Sequence, residues 1–180
     1  TRSLSSAASD VYKRQMLALG EDLEKFDVLA LEPTSERAFA SACANKHADV
    51  VSVGAGRRLR YKFTASAVRA ATGNRISFEL CYGEALRDSN SRMWFFANAS
   101  ALARATRGGR ELFILSSGAE RAIELRSMYD VVNLATFFGM TEKAARAAMT
   151  TNVHAMLAMC KRRRDAAATD SVVERMDASA

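Results

Sequence analysis

The sequence predicts an α/β protein whose parallel strands are covered by helices on the outside. Short apolar runs alternate with helical patterns between residues 26 and 116, and this alternation requires crossover connections between parallel strands. Only helical patterns follow. The 180 residues suit one domain or part of a larger one, and 49% apolar with 26% charged residues excludes wholesale disorder. No apolar run is long enough to predict a membrane span.

The first predicted strand is closed by a proline. Residues 26–31 are rich in strand formers, and Pro33 cannot continue a sheet ladder because it lacks the N–H donor. Thr34 or Ser35 can then cap a helix that extends to about Asn45, since either hydroxyl oxygen can accept a bond from the first helical turn.

The later elements repeat this order of strand and helix. The pattern predicts main strands at residues 49–53, 76–82 and 111–116, with a further short strand at 61–63. It predicts helices at residues 66–72 and 91–106, then a helix capped by Asp130, one capped by Thr141 and one over 152–164.

Two terminal segments fall outside the predicted domain of residues 16–164. Residues 5–15 (SSAASDVYKRQ) back-translate without a gap to the transposon adapter of sequencing libraries, so residues 1–15 are interpreted as an adapter-derived artefact. The alternatives are a polar tail or a transit peptide. Residues 165–180 lose apolar periodicity and predict a disordered tail. Without residues 1–15 the formal charge falls from +6 to +4.

Four strands are too few for a closed barrel, and their apolar edges would make a poor open sheet. Together with the adapter junction, this leads us to expect that the first strands of the fold are missing from the chain.

The sequence contains no motif that marks a catalytic or metal-binding site. His47 and His154 stand apart, and no HxH, HExxH, GxSxG or P-loop pattern occurs. The three cysteines are also far apart, which argues against a disulfide framework or a zinc site. Glu79, within a predicted strand, is either a catalytic carboxylate at a barrel rim or the structural partner of Arg121 or Arg126; the pairing is preferred.

Basic residues beside strand ends and in loops are the main functional signal, because such cations can neutralise phosphates and arginine can also stack on bases. Each of them could equally be an internal salt-bridge partner. The candidate RNA-binding residues are Arg58, Arg60, Lys62, Arg87, Arg121 and Arg126.

Three stretches together resemble the p30 (Rpp30-like) protein subunit of ribonuclease P. They are residues 26–39 (FDVLALEPTSERAF), 76–89 (ISFELCYGEALRDS) and 113–152, and the resemblance extends from about residue 23 to residue 157. The last stretch is the most specific, since it carries the serine pair Ser116-Ser117, Arg126, the run DVxNL at residues 130–134 and the closing Asn152 where the family pattern has them.

The resemblance implies an incomplete β/α barrel, TIM-like and of the polymerase-and-histidinol-phosphatase type. This chain would supply its last four strands with the outer helices. Family members lack a metal-dependent active site of their own and act as protein cofactors of a ribonucleoprotein. Its RNA removes the 5′ leader from precursor tRNA, and eukaryotic members also serve the related ribonuclease that processes ribosomal RNA.

The implied partners are ribonuclease P RNA, precursor tRNA within the complex, a Pop5-like protein and other ribonuclease P proteins. No cofactor is expected on the protein itself, Mg²⁺ is expected on the partner RNA, and a eukaryotic member would lie in the nucleus and nucleolus. The isolated polypeptide is then not expected to catalyse the cleavage. The alternative is a metal-dependent barrel phosphoesterase whose ligands lie in the missing N-terminal half, and a weaker one is a scaffold that meets only proteins.

Overall fold

A computed structural model describes residues 26–109 and 112–177 of the chain, with side chains as far as residue 165. The predicted artefact, residues 1–15, lies outside the described residues. The described elements, in chain order, are β1 (Ala30–Leu31), α1 (Glu36–Ala44), β2 (Val50–Val53), α2 (Ala65–Gly73), β3 (Ser77–Cys81), α3 (Glu84–Arg87), α4 (Ser89–Ala105), β4 (Phe113–Ser116), a 3-10 turn (Ala122–Glu124), α5 (Met128–Phe137), α6 (Glu142–Met149) and α7 (Thr151–Asp177).

The four strands form one parallel sheet in the order β1-β2-β3-β4, which is also their order along the chain. The predicted α/β class with parallel strands is therefore confirmed. Among the described residues, no helix is long and apolar enough to cross a membrane.

The two faces of the sheet differ in chemistry. On the face toward the helices, Val51, Phe78 and Phe113 are in register and join one hydrophobic core with side chains of α1, α4 and α5. On the opposite face, Ser52 is in register with Glu79, and neither belongs to that core. Burial against the outer helices therefore supplies most of the apolar packing that holds the sheet.

Helix α7 runs along the edge of the sheet at which the strands begin. The Asn152 side chain donates to the Phe113 carbonyl at the start of β4, at 2.9 Å. Further along the helix, Arg163 pairs with Asp49, directly before β2, and Arg164 pairs with Asp27, before β1. The last helix thereby ties three strands together where they begin. The loops that follow the strands lie at the opposite ends of the strands.

Two features differ from the sequence prediction, and two predicted caps are confirmed. Residues 61–63 form no strand and lie in the loop between β2 and α2; a loop that packs alternate side chains on the core shows the same alternation as a strand. The cap of α5 is Ser127, whose hydroxyl accepts from the Asp130 N–H, so Asp130 as cap is wrong. The cap of α1 is Ser35 and that of α6 is Thr141.

The final helix also differs, because α7 continues to Asp177, whereas the sequence predicts a helix end at residue 164 and a disordered tail from residue 165. Loss of apolar periodicity removes a packed face but does not by itself end a helix. Residues 165–177 contain neither glycine nor proline, the two residues least compatible with a helix interior, so the helix continues beyond its packed part.

Candidate nucleic-acid interface

The loop between β2 and α2 presents alternate side chains to the core and to solvent. Leu59, Tyr61 and Phe63 point inward, and the Tyr61 ring stacks on Phe39 of α1 with 4.8 Å between ring centroids. The intervening cations are exposed: Arg58, Arg60 and Lys62. Because the apolar residues fix every second position, the three cations lie on one surface, which we call the cationic loop.

The start of the cationic loop is held by hydrogen bonds and an ion pair. The Asn98 amide on α4 donates to the carbonyls of Ala55 and Arg57, both at 2.8 Å. The Arg57 guanidinium pairs with Glu32, and the Gly56 N–H donates to the Glu84 carboxylate. Each of these groups fixes the loop backbone without using the three exposed cations.

Among the residues that the structure describes, Arg58, Arg60 and Lys62 make no ion pair with a carboxylate. Their charges are therefore available to an external anion. Since the loop backbone is already ordered, little conformational freedom is lost when a phosphate chain binds there.

A positively charged groove continues from this loop onto the helices. The loop cavity, of about 690 Å³, is lined by the three cations and Glu36. The middle cavity, of about 360 Å³, shares Lys62 with it and is also lined by Asn98 and Arg104 of α4.

A third cavity, here called the helix cavity, has about 650 Å³ and shares Ala105 with the middle cavity. Arg69 of α2 and Arg107, which follows α4, line it. Arg69, Arg104 and Arg107 were absent from the sequence prediction. Their signal is weak, because two of them stand at the end of a helix, where a cation is common for its interaction with the helix dipole.

The other three predicted residues lie at the edge where the strands end, in a different environment. Arg87 donates to the Gly118 carbonyl at 2.7 Å and pairs with Glu120 at 2.9 Å, and its second Nη lies 3.5 Å from a Glu124 oxygen. Arg121 pairs with Glu124 at 3.1 Å. The role of Arg87 and Arg121 as RNA contacts stays a prediction, but each guanidinium is already paired with a carboxylate of the protein.

Glu124 is the buried member of this cluster, with 3% of its surface exposed. The Glu120 N–H, which donates to Glu124 at 3.0 Å, is the main cause that lowers the pKa of Glu124, and the guanidinium groups of Arg121 and Arg87 add to it. A carboxylate that stays ionised at this position holds both arginines near the ends of β3 and β4.

Arg126 and Glu79 are placed differently from the prediction. The Arg126 guanidinium donates to the carbonyls of Ile123 and Leu125, at 2.6 and 2.9 Å. Among the described residues Glu79 makes no ion pair, so its predicted pairing with an arginine such as Arg121 or Arg126 is wrong. The sequence alone does not show whether Glu79 or Glu124 is the partner of Arg121.

The serine pair closes the turn after β4. The Ser117 carbonyl accepts from the Gly83 N–H at 2.8 Å, and its hydroxyl accepts from the Ala119 N–H at 3.4 Å. Gly118 has φ +52°, and a Cβ there would lie 2.6 Å from Cβ of Cys81. Only glycine fits, so this stretch is conformationally specific.

Comparison with protein families matches residues 7–165 to the family described as RNase P subunit p30. The chain belongs to this family. The matched span begins inside the segment 1–15 that the sequence predicts to be an artefact, and it includes every described strand and the greater part of α7.

Several relatives of this p30-family chain carry ribonuclease P names. The chain is 35% identical over 150 residues to ribonuclease P protein subunit p30 of Mus musculus, covering 83% of this chain and 55% of the mouse protein. It is 30% identical over 151 residues to the probable ribonuclease P protein subunit 3 of Schizosaccharomyces pombe, covering 84% of this chain and 63% of that protein. The chain therefore spans between half and two thirds of these relatives.

A solved structure has the same fold as this p30-family chain. A chain in the cryo-EM structure of archaeal ribonuclease P with mature tRNA aligns with 90% of this chain and 66% of its own length, with a TM-score of 0.59 and 14% identity. The likeness therefore extends over almost the whole α/β unit.

Among the described residues, no group of three or more His, Cys, Asp or Glu side chains is arranged to hold a metal ion.

Proposed function

We propose that this chain is an RNA-binding part of a ribonuclease P protein subunit, which supports removal of the 5′ leader from precursor tRNA by the catalytic RNA. Membership of the p30 family and the names of the relatives support this role. The single observation that carries the RNA-binding part is the cationic loop: three exposed cations on a fixed backbone, with no ion pair among the described residues.

The proposed contribution of the protein is electrostatic. Arg58, Arg60 and Lys62 would offset the repulsion between phosphates as the RNA compacts, and counterions released from the RNA would favour binding. Mg²⁺ held by the RNA would then assist hydrolysis of the phosphodiester bond. The polypeptide itself would bind no cofactor and would not catalyse the reaction.

The proposed partners are ribonuclease P RNA, precursor tRNA within the complex and a Pop5-like protein subunit, with the related ribosomal RNA-processing ribonuclease as a second assembly. For a eukaryotic protein the proposed location is the nucleus and nucleolus. These proposals follow from the family, and the relatives named as ribonuclease P subunits support only the ribonuclease P assembly.

We also propose that the sheet is part of an incomplete β/α barrel, TIM-like and of the polymerase-and-histidinol-phosphatase type. Support comes from the strand order, which follows the chain in one direction, whereas an open doubly wound sheet reverses its order at a switch point. A structure of a longer p30 protein in which β1 and β4 pair with no further strands would contradict the barrel.

The RNA-binding role is tested with the full chain and a transcript of ribonuclease P RNA. We compare the loop variant R58A/R60A/K62A with a control variant, K143A/K161A/R162A, which removes three exposed cations from α6 and α7. The loop variant should bind more weakly, with the slope of log affinity against log salt reduced by about 2–3, while the control stays near wild type. Equal losses in both variants would mean that only overall charge matters and would contradict the proposed site.

A further inference from the structure

We propose that the helix cavity binds a nucleobase of a single-stranded RNA segment whose phosphates lie along the cationic loop. This inference rests on the proposed RNA-binding function and adds the class of RNA: a strand with unpaired bases. The cavity lies between α2 and the end of α4, outside the residues that the sequence predicts as RNA contacts.

The lining of the helix cavity combines an apolar floor with a cationic rim. The floor includes the partly exposed Val68 and Leu112 and the buried Phe78, and the rim carries Arg69 and Arg107. Its volume of about 650 Å³ lies in the range of small-molecule sites. An apolar floor accepts the face of a base, and a guanidinium plane can stack on that base or bind its phosphate.

Two hydroxyl groups at the cavity can serve the polar edge of a base. Thr72 donates its hydroxyl proton to the Val68 carbonyl at 2.9 Å, and Thr106 donates to the Leu102 carbonyl at 2.9 Å. Each oxygen therefore keeps acceptor capacity, which suits the N–H donors on a base edge.

Continuity with the cationic loop favours RNA over an acidic peptide. The loop and middle cavities share Lys62, the middle and helix cavities share Ala105, and cations line all three, so a chain with regularly spaced phosphates can meet a cation in each cavity. An acidic peptide would match the charges but has no flat ring to fill the apolar floor. Within a duplex the bases are stacked and paired, so they cannot enter such a cavity.

The experiment measures binding of the full chain to three probes: a ten-nucleotide oligouridylate, a ten-base-pair RNA duplex and an oligoglutamate. The cavity variant is R69A/R107A, and a second variant, T72F, keeps the charges while its ring blocks the cavity mouth. The charge control is K143A/K161A. Thermal unfolding of each variant verifies that it is folded.

We expect both cavity variants to lose about tenfold in affinity for oligouridylate, which corresponds to one lost base stack. Their affinity for the duplex should be no lower than that of the charge control. Equal losses on single strand and duplex would overturn the base site and leave only phosphate contacts. The base site would also be overturned if oligoglutamate bound as tightly as oligouridylate and lost affinity in R69A/R107A and T72F.

The two proposals fail separately. If the cavity variants bind as wild type while R58A/R60A/K62A loses affinity for the oligouridylate and the duplex, the base site is refuted and the RNA-binding function stands. If R58A/R60A/K62A also binds like its control, both are refuted.

Discussion

Arg163 in the last helix forms a two-point pair with Asp49 directly before β2: Nη2 lies 2.7 Å from Oδ2, and Nε lies 3.1 Å from Oδ1. The same Oδ2 accepts from the Leu29 N–H at 2.8 Å, so one carboxylate joins α7 to the beginnings of two strands. The Asp49 side chain is only 9% exposed, which limits the screening of the pair by solvent.

We expect Asp49→Asn to lower the free energy of unfolding by about 2–3 kcal/mol, because it removes a charge-assisted, two-point pair with Arg163 at a largely buried carboxylate. Urea unfolding followed by circular dichroism measures the change. Glu142→Gln serves as the control, since its pair with Arg146 lies on the surface of one helix and should have no measurable effect. An unchanged urea midpoint in Asp49→Asn would show that α7 does not stabilise the sheet through this pair.

The cations show what the sequence can and cannot predict about this site. Arg58 follows β2 and Arg87 follows β3, and local sequence does not distinguish the two cations. Arg87 is engaged because the turn after β4 brings Glu120 and Glu124 beside it, and such contacts across more than thirty residues depend on the tertiary fold. The groove residue Arg69 escaped prediction for the same reason.

Local signals were sufficient for most of the fold. The strand-forming runs and the hydroxyl caps Ser35 and Thr141 predicted the order of the elements because they act within a few residues. The cap of α5 was missed because Ser127 and Asp130 are both good cap residues, and their hydroxyl–carboxylate bond at 2.8 Å places both at the same helix start.

We expect Arg87→Ala and Arg58→Ala to separate stability from RNA affinity. Arg87→Ala should lower the unfolding temperature, because Glu124 loses a cation, and should change RNA affinity by less than about twofold once the folded fraction is taken into account. Arg58→Ala should leave the unfolding temperature unchanged and weaken binding severalfold, with the salt slope reduced by about 0.7–0.9. If Arg87→Ala weakened RNA binding and Arg58→Ala lowered the unfolding temperature, the RNA would instead contact the protein where β3 and β4 end.

Stability should decrease in alkaline solution because burial raises the pKa of the Cys43 thiol to about 12. In the unfolded chain the thiol loses its proton near pH 9, whereas the folded state retains it, so protein stability is lost as the pH rises from about 9 toward 12. Burial raises the pKa of Cys160 similarly, to about 11.

The measurement is urea unfolding of the reduced protein at pH 8, 9 and 10. Cys43→Ala should be less stable throughout but should show a decline between pH 9 and 10 that is shallower by up to about 1.4 kcal/mol per pH unit. Cys160→Ala provides a second, independent comparison. A slope that stays equal to that of the wild type would mean that the Cys43 thiol is not held protonated in the folded state.

Asn98 should affect RNA binding although it carries no charge. Its amide donates to the carbonyls of Ala55 and Arg57 and so fixes the start of the cationic loop. In Asn98→Ala the loop must be ordered when RNA binds, which we expect to cost about 1 kcal/mol, or roughly fivefold in affinity. The salt slope should not change, because the number of phosphates neutralised stays the same.

This combination distinguishes positioning from direct contact: R58A/R60A/K62A lowers both affinity and slope, whereas Asn98→Ala lowers affinity alone. Asn90→Ala, an exposed change in the first turn of the same helix, is the control and should bind like wild type. A reduced slope in Asn98→Ala would mean that the loop cations leave the RNA when the amide is lost. Unchanged affinity would mean that the loop keeps its conformation without Asn98, and the order of the loop would then have to come from the stacking of Tyr61 on Phe39.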